Sequence, residues 1–308
     1  MGRYIIKRFG ISLVTIWILA TLVFILIRLL PGDPFTDEKM PIEIKERMME
    51  YYGLNDPWYQ QYGIYMNNLA HGDLGYSLRY KNRKVNDILM DAFPYSAELG
   101  VRAIVFALSV GLVLGIVAAL NHNGKWDYLT VGIAIIGISV PSFIVAGLMQ
   151  YGFSVQLKLL PVARWESEAH KVLPTIALGL GTLALITRMM RTSMLENISM
   201  DYIKMARAKG LSQFQITWGH QIRNAILPVV TIMGPTIAAL LTGTFVIENI
   251  FAIPGLGRHY VLSIQNLDYT MVSGLTIFYG IFLVFMLFLV DVVYGFVDPR
   301  IRVTGKAR

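Results

Sequence analysis

The sequence predicts an all-α integral membrane protein with six transmembrane helices and both termini in the cytoplasm. Three observations carry that prediction. Hydrophobic residues fill 55% of the 308 positions and charged residues 15%, and a mean hydropathy of +0.54 is too high for a soluble domain with one covered core. The apolar residues fall in separate runs of about twenty, the length that crosses ~30 Å of hydrocarbon. Lysine and arginine gather at the ends of those runs. The net charge of +7 therefore follows membrane topology, and no dense basic tract with interleaved aromatics points to nucleic acid.

Residues 1–9 form a cytoplasmic N-terminus, with Arg3, Lys7 and Arg8 ahead of a first span over 10–30. That run is too long for a signal-peptide core and lacks a small-residue cleavage site, so it reads as a retained helix. Arg28 near its outer end snorkels to the interface. Residues 31–96 are an extracytoplasmic segment, with a helix expected over Ile42 to Tyr52 and turn residues at Asn55 to Pro57. Gly72 to Ser77 reads as a tight turn leading into extended chain.

Span two, about 97–120, carries Gly111 and Gly115 at the small-residue spacing that lets membrane helices approach closely. Arg102 in its first turns is either an interfacial anchor or a pore-facing charge. After a short turn, Asn121 to Asp127, span three covers about 128–151 and is kinked by Pro141. Pro161 bounds any continuation through Leu157 to Leu160. Span four, about 172–187, is short and contains Gly179 and Gly181. Span five, about 227–247, opens with Pro228 and contains Gly234, Pro235 and Gly243. Such interruptions are tolerated only where protein or water covers the backbone, which puts this span in the bundle interior or along a pathway. Span six, about 271–294, leads to the cytoplasmic tail, 296–308. Pro141, Pro228, Pro235 and Gly243 are the candidate hinge or pathway positions, with static shape the competing reading of Pro141.

Between spans four and five lies a polar island, 188–226, on which the functional reading turns. Helix-forming residues run from Met194 to Lys209, and Gly210 interrupts them with a residue suited to the left-handed conformation that ends many helices. Ser212 and Gln215 then stand at the capping-box spacing, which starts a second helix at once. In that helix Phe214, Trp218, Ile222 and Ile226 recur every four residues, giving an apolar face opposite Gln221 and Arg223. Arg188, Arg191, Lys204, Arg207, Lys209 and Arg223 outnumber Glu196 and Asp201, which places this bent pair in the cytoplasm. Physics alone leaves two readings open: an element that docks a soluble partner, or an amphipathic helix lying on the bilayer.

Several chemistries lack their residues. With no cysteine there is no disulfide framework or thiolate metal site. The five histidines all fall in polar connections, and none forms an H-E-x-x-H pair. Glu248 and Asp291, at span ends, read as interfacial or paired with basic neighbours, which gives an ion-coupled transporter little to work with. No G-x-x-x-x-G-K-[ST] phosphate loop occurs, so the chain is not itself a P-loop ATPase. What remains is a non-catalytic channel or pathway subunit powered from outside.

The island also resembles the cytoplasmic loop of ABC-importer permeases, whose signature is E-A-A, three residues, G, nine residues, then I-x-L-P. Aligned on Gly210, the first triplet is Lys204, Met205 and Ala206, and only Ala206 and Gly210 keep the general pattern. Much of the rest of the chain is similar to one branch, the first permease of oligopeptide and dipeptide importers. The shared stretches are LPGDP at Leu30, GDLGYS at Gly72, VPSF at Val140, LPV at Leu160, ARAKGLS at Ala206, RNAILP at Arg223, ENIFAIPGLG at Glu248 and DPR at Asp298. In this branch the displaced Leu227 and Pro228 are usual.

The resemblance implies a type I ABC importer permease fold with its core over 97–295, in a bacterial inner membrane. It also implies a second permease, two cytoplasmic ABC ATPases that hold the ATP and magnesium, and an extracytoplasmic peptide-binding protein. This chain would bind no cofactor. The island would be the coupling loop. Within it Ala206 and Gly210 would permit close partner approach and set the bend, Leu211 would pack at the bend, and Met205 and Ser212 belong to the same coupling segment. Lys204, Arg207 and Lys209 would supply exposed charge. Nickel or another small solute is the alternative cargo for the same architecture.

Overall fold

In lipid a backbone must satisfy its polar groups internally, so long apolar sequence with few breakers becomes helix. The computed structural model describes residues 2–29, 55–80, 83–241 and 245–297, with positions 46, 49, 51 and 53. Most of the helix expected over Ile42 to Tyr52, the Leu30–Pro34 stretch, Gly243 and the tail from Asp298 lie outside the described residues. The described helices are α1 (Gly2–Leu29), α2 (Trp58–Ala70), α3 (Val85–Leu120), α4 (Lys125–Ser139), α5 (Ser142–Met149), α6 (Glu168–Ile198), α7 (Asp201–Ala208), α8 (Gln213–Ile216), α9 (Ile222–Ala225), α10 (Leu227–Leu241), α11 (Phe245–Ile250), α12 (Leu256–Gln265) and α13 (Tyr269–Val297). Among the described residues five helical stretches are long and apolar enough to cross a membrane, or six if the bent pair α4–α5 counts as one.

The chain forms two compact units, Met1–Pro94 with Leu256–Arg308, and Tyr95–Gly255. In the first, α1 lies along α13. Arg8 pairs with Asp291 at 3.0 Å, and Phe9 meets Phe288 edge-on at 6.2 Å. α2, which the sequence did not announce, crosses α1 through aromatics: Phe24 sits 5.2 Å from Tyr62 and 5.3 Å from Tyr65. Arg28 does not simply reach for an interface. Its guanidinium lies 4.6 Å over the Phe24 ring and donates to Gln61.

Gly72 and Gly75 both take positive φ, and Tyr76 bridges Lys84, so the expected turn and extended piece are present. Lys84 pairs with Asp73 at 3.1 Å. Burial pushes the Asp73 carboxyl up, but the Gly75 N–H and the Lys84 ammonium outweigh it and hold the group below its ordinary range. The loop is pinned by buried Asp268, which accepts from Leu78 N–H at 3.1 Å and from the Ser77 hydroxyl while capping α13 through Met271 N–H.

In the second unit, α3 and α6 pack where small residues allow it. A Cβ on Gly115 would stand 2.7 Å from Met190 Cβ and 2.8 Å from the Thr187 carbonyl oxygen, and Gly111 meets Leu183 and Ile186 in the same way. Met190, Met194, Ile186, Leu173, Ala225 and Val229 are among the buried members of this core. Arg102 bonds Glu98 and Glu168, which also hold Lys171.

The structure departs from the expected spans in three places. The helix carrying span two starts at Val85. The helix carrying span four is 31 residues long, because polar residues at both of its ends remain helical. Span three is broken rather than kinked: Val140 before Pro141 turns extended at φ −92° and ψ 122°, and α4 and α5 meet at 107°. Leu157–Leu160 is not helical. α5 passes into a π-helix, Gln150–Gln156, whose Gln150 and Ser154 side chains bond the carbonyls of Val162 and Pro161.

Candidate functional site

α6 runs to Ile198 and ends on its own side chains. Asn197 donates to the Ser193 carbonyl and Ser199 to that of Glu196, bonds that compete with helix continuation. The uninterrupted helix expected from Met194 to Lys209 is therefore split, with Met200 extended at ψ 148° ahead of α7.

α7 closes as the sequence required. Gly210 has φ +79°. Its N–H donates to the Arg207 carbonyl at 3.0 Å, and the Leu211 N–H donates to that of Ala206 at 3.3 Å, which is the Schellman pairing. Ser212 Oγ then accepts from Gln215 N–H, and Gln215 Oε1 accepts from Ser212 N–H at 2.9 Å, the reciprocal capping box. Two helices thus meet across four residues, with hydrogen bonds fixing both ends of the bend.

One small cluster holds the pair together: Ile203 and Ala206 of α7 and Ile216 of α8 are buried, with Leu211 packed on them. Ala206 therefore faces inward, where its small size serves packing inside the loop. Outward stand Met205, 60% exposed, with Arg207, Lys209, Gly210 and Ser212. Lys204 is exposed as well, in a surface pair with Asp201 at 2.9 Å, an interaction of small energetic weight.

In the second helix the apolar face is only partly covered: Phe214 and Trp218 are 71% and 59% exposed, with rings 6.0 Å apart. Ile222 and Ile226 pack only partly against the core. Thr217 and Gln221 are buried in their place, on a π-helical stretch, Thr217–Gln221. Thr217 donates to Gln221 Oε1 at 3.1 Å, and Gln221 Nε2 has no partner among the described residues. Gln221, on the face opposite the apolar stripe, is thus the buried one, which no polarity pattern could have shown.

The proposed hinge positions separate. Pro141 stands at the 107° break. Pro228 is the second residue of α10, where a missing N–H costs little, and α10 runs on through Pro235. Glu248 is buried, with the Ser96 hydroxyl donating to it at 2.8 Å.

Fold and loop together define a multi-pass helical membrane protein that presents a rigid, basic, bent element between two of its spans. The chain belongs to the family described as binding-protein-dependent transport system inner membrane component, whose model matches residues 111–303. It is 48% identical over 99% of its length to the dipeptide transport system permease protein DppB of Bacillus subtilis, and covers all of that protein. To the oligopeptide transport system permease protein OppB of Escherichia coli K12 it is 41% identical over 98%, again covering the whole relative. A chain of the MetNI methionine ABC transporter, inward facing, shares the fold with a TM-score of 0.58 at 19% identity, over 68% of this chain and 96% of that one. The protein is thus a multi-pass inner-membrane component of a bacterial transport system.

Proposed function

We propose that this chain is one of two permease subunits of a type I ABC importer that takes up peptides delivered by an extracytoplasmic binding protein. Two cytoplasmic ATPases, holding ATP and magnesium, drive it through the loop 188–226. The observation that carries the reading is the doubly fixed bend at Gly210. A loop stiffened at both helix ends can pass on a push, whereas a flexible one would absorb it. α7 lays its buried face on α8 and leaves Met205, Arg207 and Lys209 for a partner surface, apolar at the centre and basic around it. ATP-driven closure of the ATPases then biases the spans between two arrangements. The peptide assignment rests on the names of the relatives, and nickel or another small solute is the competing cargo.

The test is uptake in vesicles holding this chain, its partner permease, the two ATPases and the binding protein. Labelled di- and oligopeptides should accumulate only with internal ATP and persist when ionophores collapse ion gradients. Uptake that stops with the gradient and ignores ATP would assign the chain to ion-coupled transport instead.

A further inference from the structure

Any displacement of the loop 199–226 that enters the bundle from its N-terminal side does so through the end of α6. There Arg191 meets Asp127 of α4: Nε donates to Oδ1 at 2.6 Å and Nη2 to Oδ2 at 2.8 Å. This two-pronged geometry fixes direction as well as distance. Asp127 is 2% exposed, and its Oδ2 also accepts from Asn123 N–H at 2.9 Å, in the turn between α3 and α4. His122 Nδ1 stands 3.3 Å from the same oxygen. Further along, Gly137 of α4 lies against α6, where a Cβ would stand 2.9 Å from Ala184 Cβ and 3.0 Å from the Leu180 carbonyl oxygen. α4 is thus fastened to α6 near both ends, and immediately beyond the second fastening the chain breaks at Pro141.

We infer that the Asp127–Arg191 pair is a positioning clamp: it makes α4 follow α6, so that movement of the loop is delivered to the break at Pro141. α5, beyond the break, is then the element that changes direction. The inference rests on the reading of the loop as the ATPase-docking element. A buried ion pair is a poor stabiliser because both charges lose their hydration, whereas removing one partner strands the other. The informative variant therefore removes both, as Asp127→Asn with Arg191→Gln.

In the reconstituted complex the double variant should assemble, melt as the wild type does and hydrolyse ATP at the wild-type rate, yet import at least fivefold less peptide per ATP. A merely structural pair would leave that ratio unchanged, and such a result overturns the clamp. A second measurement needs no variant of the pair. The chain has no cysteine, so spin labels at Leu129→Cys on α4 and Arg188→Cys on α6 report directly on their separation. It should stay constant between nucleotide-free and ATP-bound complexes, while a label at Leu148→Cys on α5 moves relative to α6. A nucleotide-dependent α4–α6 distance overturns the clamp even if the double variant fails to fold. Wild-type uptake that ignores ATP would instead overturn the docking reading and the clamp with it.

Discussion

Gly210 and Gly115 are both glycines for which a side chain should be costly, and for opposite reasons. At Gly115 an added Cβ would collide with Met190 and the Thr187 carbonyl, so Gly115→Val should fail in packing and assembly. At Gly210 nothing lies within 4 Å of the position a Cβ would take, but φ is +79°, which costs an ordinary residue about 1–2 kcal/mol and a β-branched one more. The penalty there is conformational and confined to the bend. Gly210→Val should leave the protein inserted and assembled while uptake falls by about tenfold, since ~1.4 kcal/mol is a factor of ten in any equilibrium the bend controls. ATP hydrolysis should continue. Asparagine tolerates the left-handed region, so Gly210→Asn should recover most of the uptake. Measuring hydrolysis and uptake on the same vesicles separates these outcomes, and normal transport by the valine variant would mean that the bend transmits nothing.

α7 has eight residues, too few to be stable alone in water. Its shape depends on the Schellman closure, the capping box and the cluster of Ile203, Ala206, Leu211 and Ile216. Truncating Ile203 to alanine should cost about 2–4 kcal/mol of local stability. Hydrogen exchange reads this directly: the Leu211 and Gln215 amides, bonded to the Ala206 carbonyl and to Ser212 Oγ, should exchange faster in Ile203→Ala, while amides in the middle of α6 keep their protection. Unchanged exchange at Leu211 would show that something other than this cluster shapes the loop. These devices were legible in the sequence because each is local, with residue type and spacing set by one turn of backbone. The second helix was not. Its buried stripe is Thr217, Gln221, Ala225 and Val229, one residue away from the Phe214, Trp218, Ile222 and Ile226 stripe that hydrophobicity selects. The spacing is the same, so periodicity could not separate the two; the choice is made by tertiary packing of Ala225 and Val229 into the core with Met190 and Met194, and the Thr217–Gln221 hydrogen bond four residues apart makes the polar stripe tolerable. The side-chain bonds of Asn197 and Ser199 that split the long helix were equally invisible to a propensity sum.

Composition alone makes the membrane class legible, but the number of crossings depends on the break at Pro141. If α4 and α5 together cross once, there are six crossings, and the loop 199–226 shares a side with residues 1–9. If the pair dips in and returns, five crossings remain and the loop emerges on the opposite side. Charge discriminates between them. Residues 188–226 hold Arg188, Arg191, Lys204, Arg207, Lys209 and Arg223 against Glu196 and Asp201, and the N-terminus holds Arg3, Lys7 and Arg8. Five crossings would put one of these basic groups outside, against the bias that orients short membrane loops. Six crossings keep both groups inside, and this is the arrangement we expect. Single cysteines in the otherwise cysteine-free chain test it with a membrane-impermeant maleimide on spheroplasts. Met90→Cys, on an exposed position near the start of α3, should label without permeabilisation, and Lys209→Cys should label only after the membrane is opened. Labelling of Lys209→Cys in sealed spheroplasts would make α4–α5 re-entrant, and it would leave the loop on the side of the membrane where no ATPase could reach it.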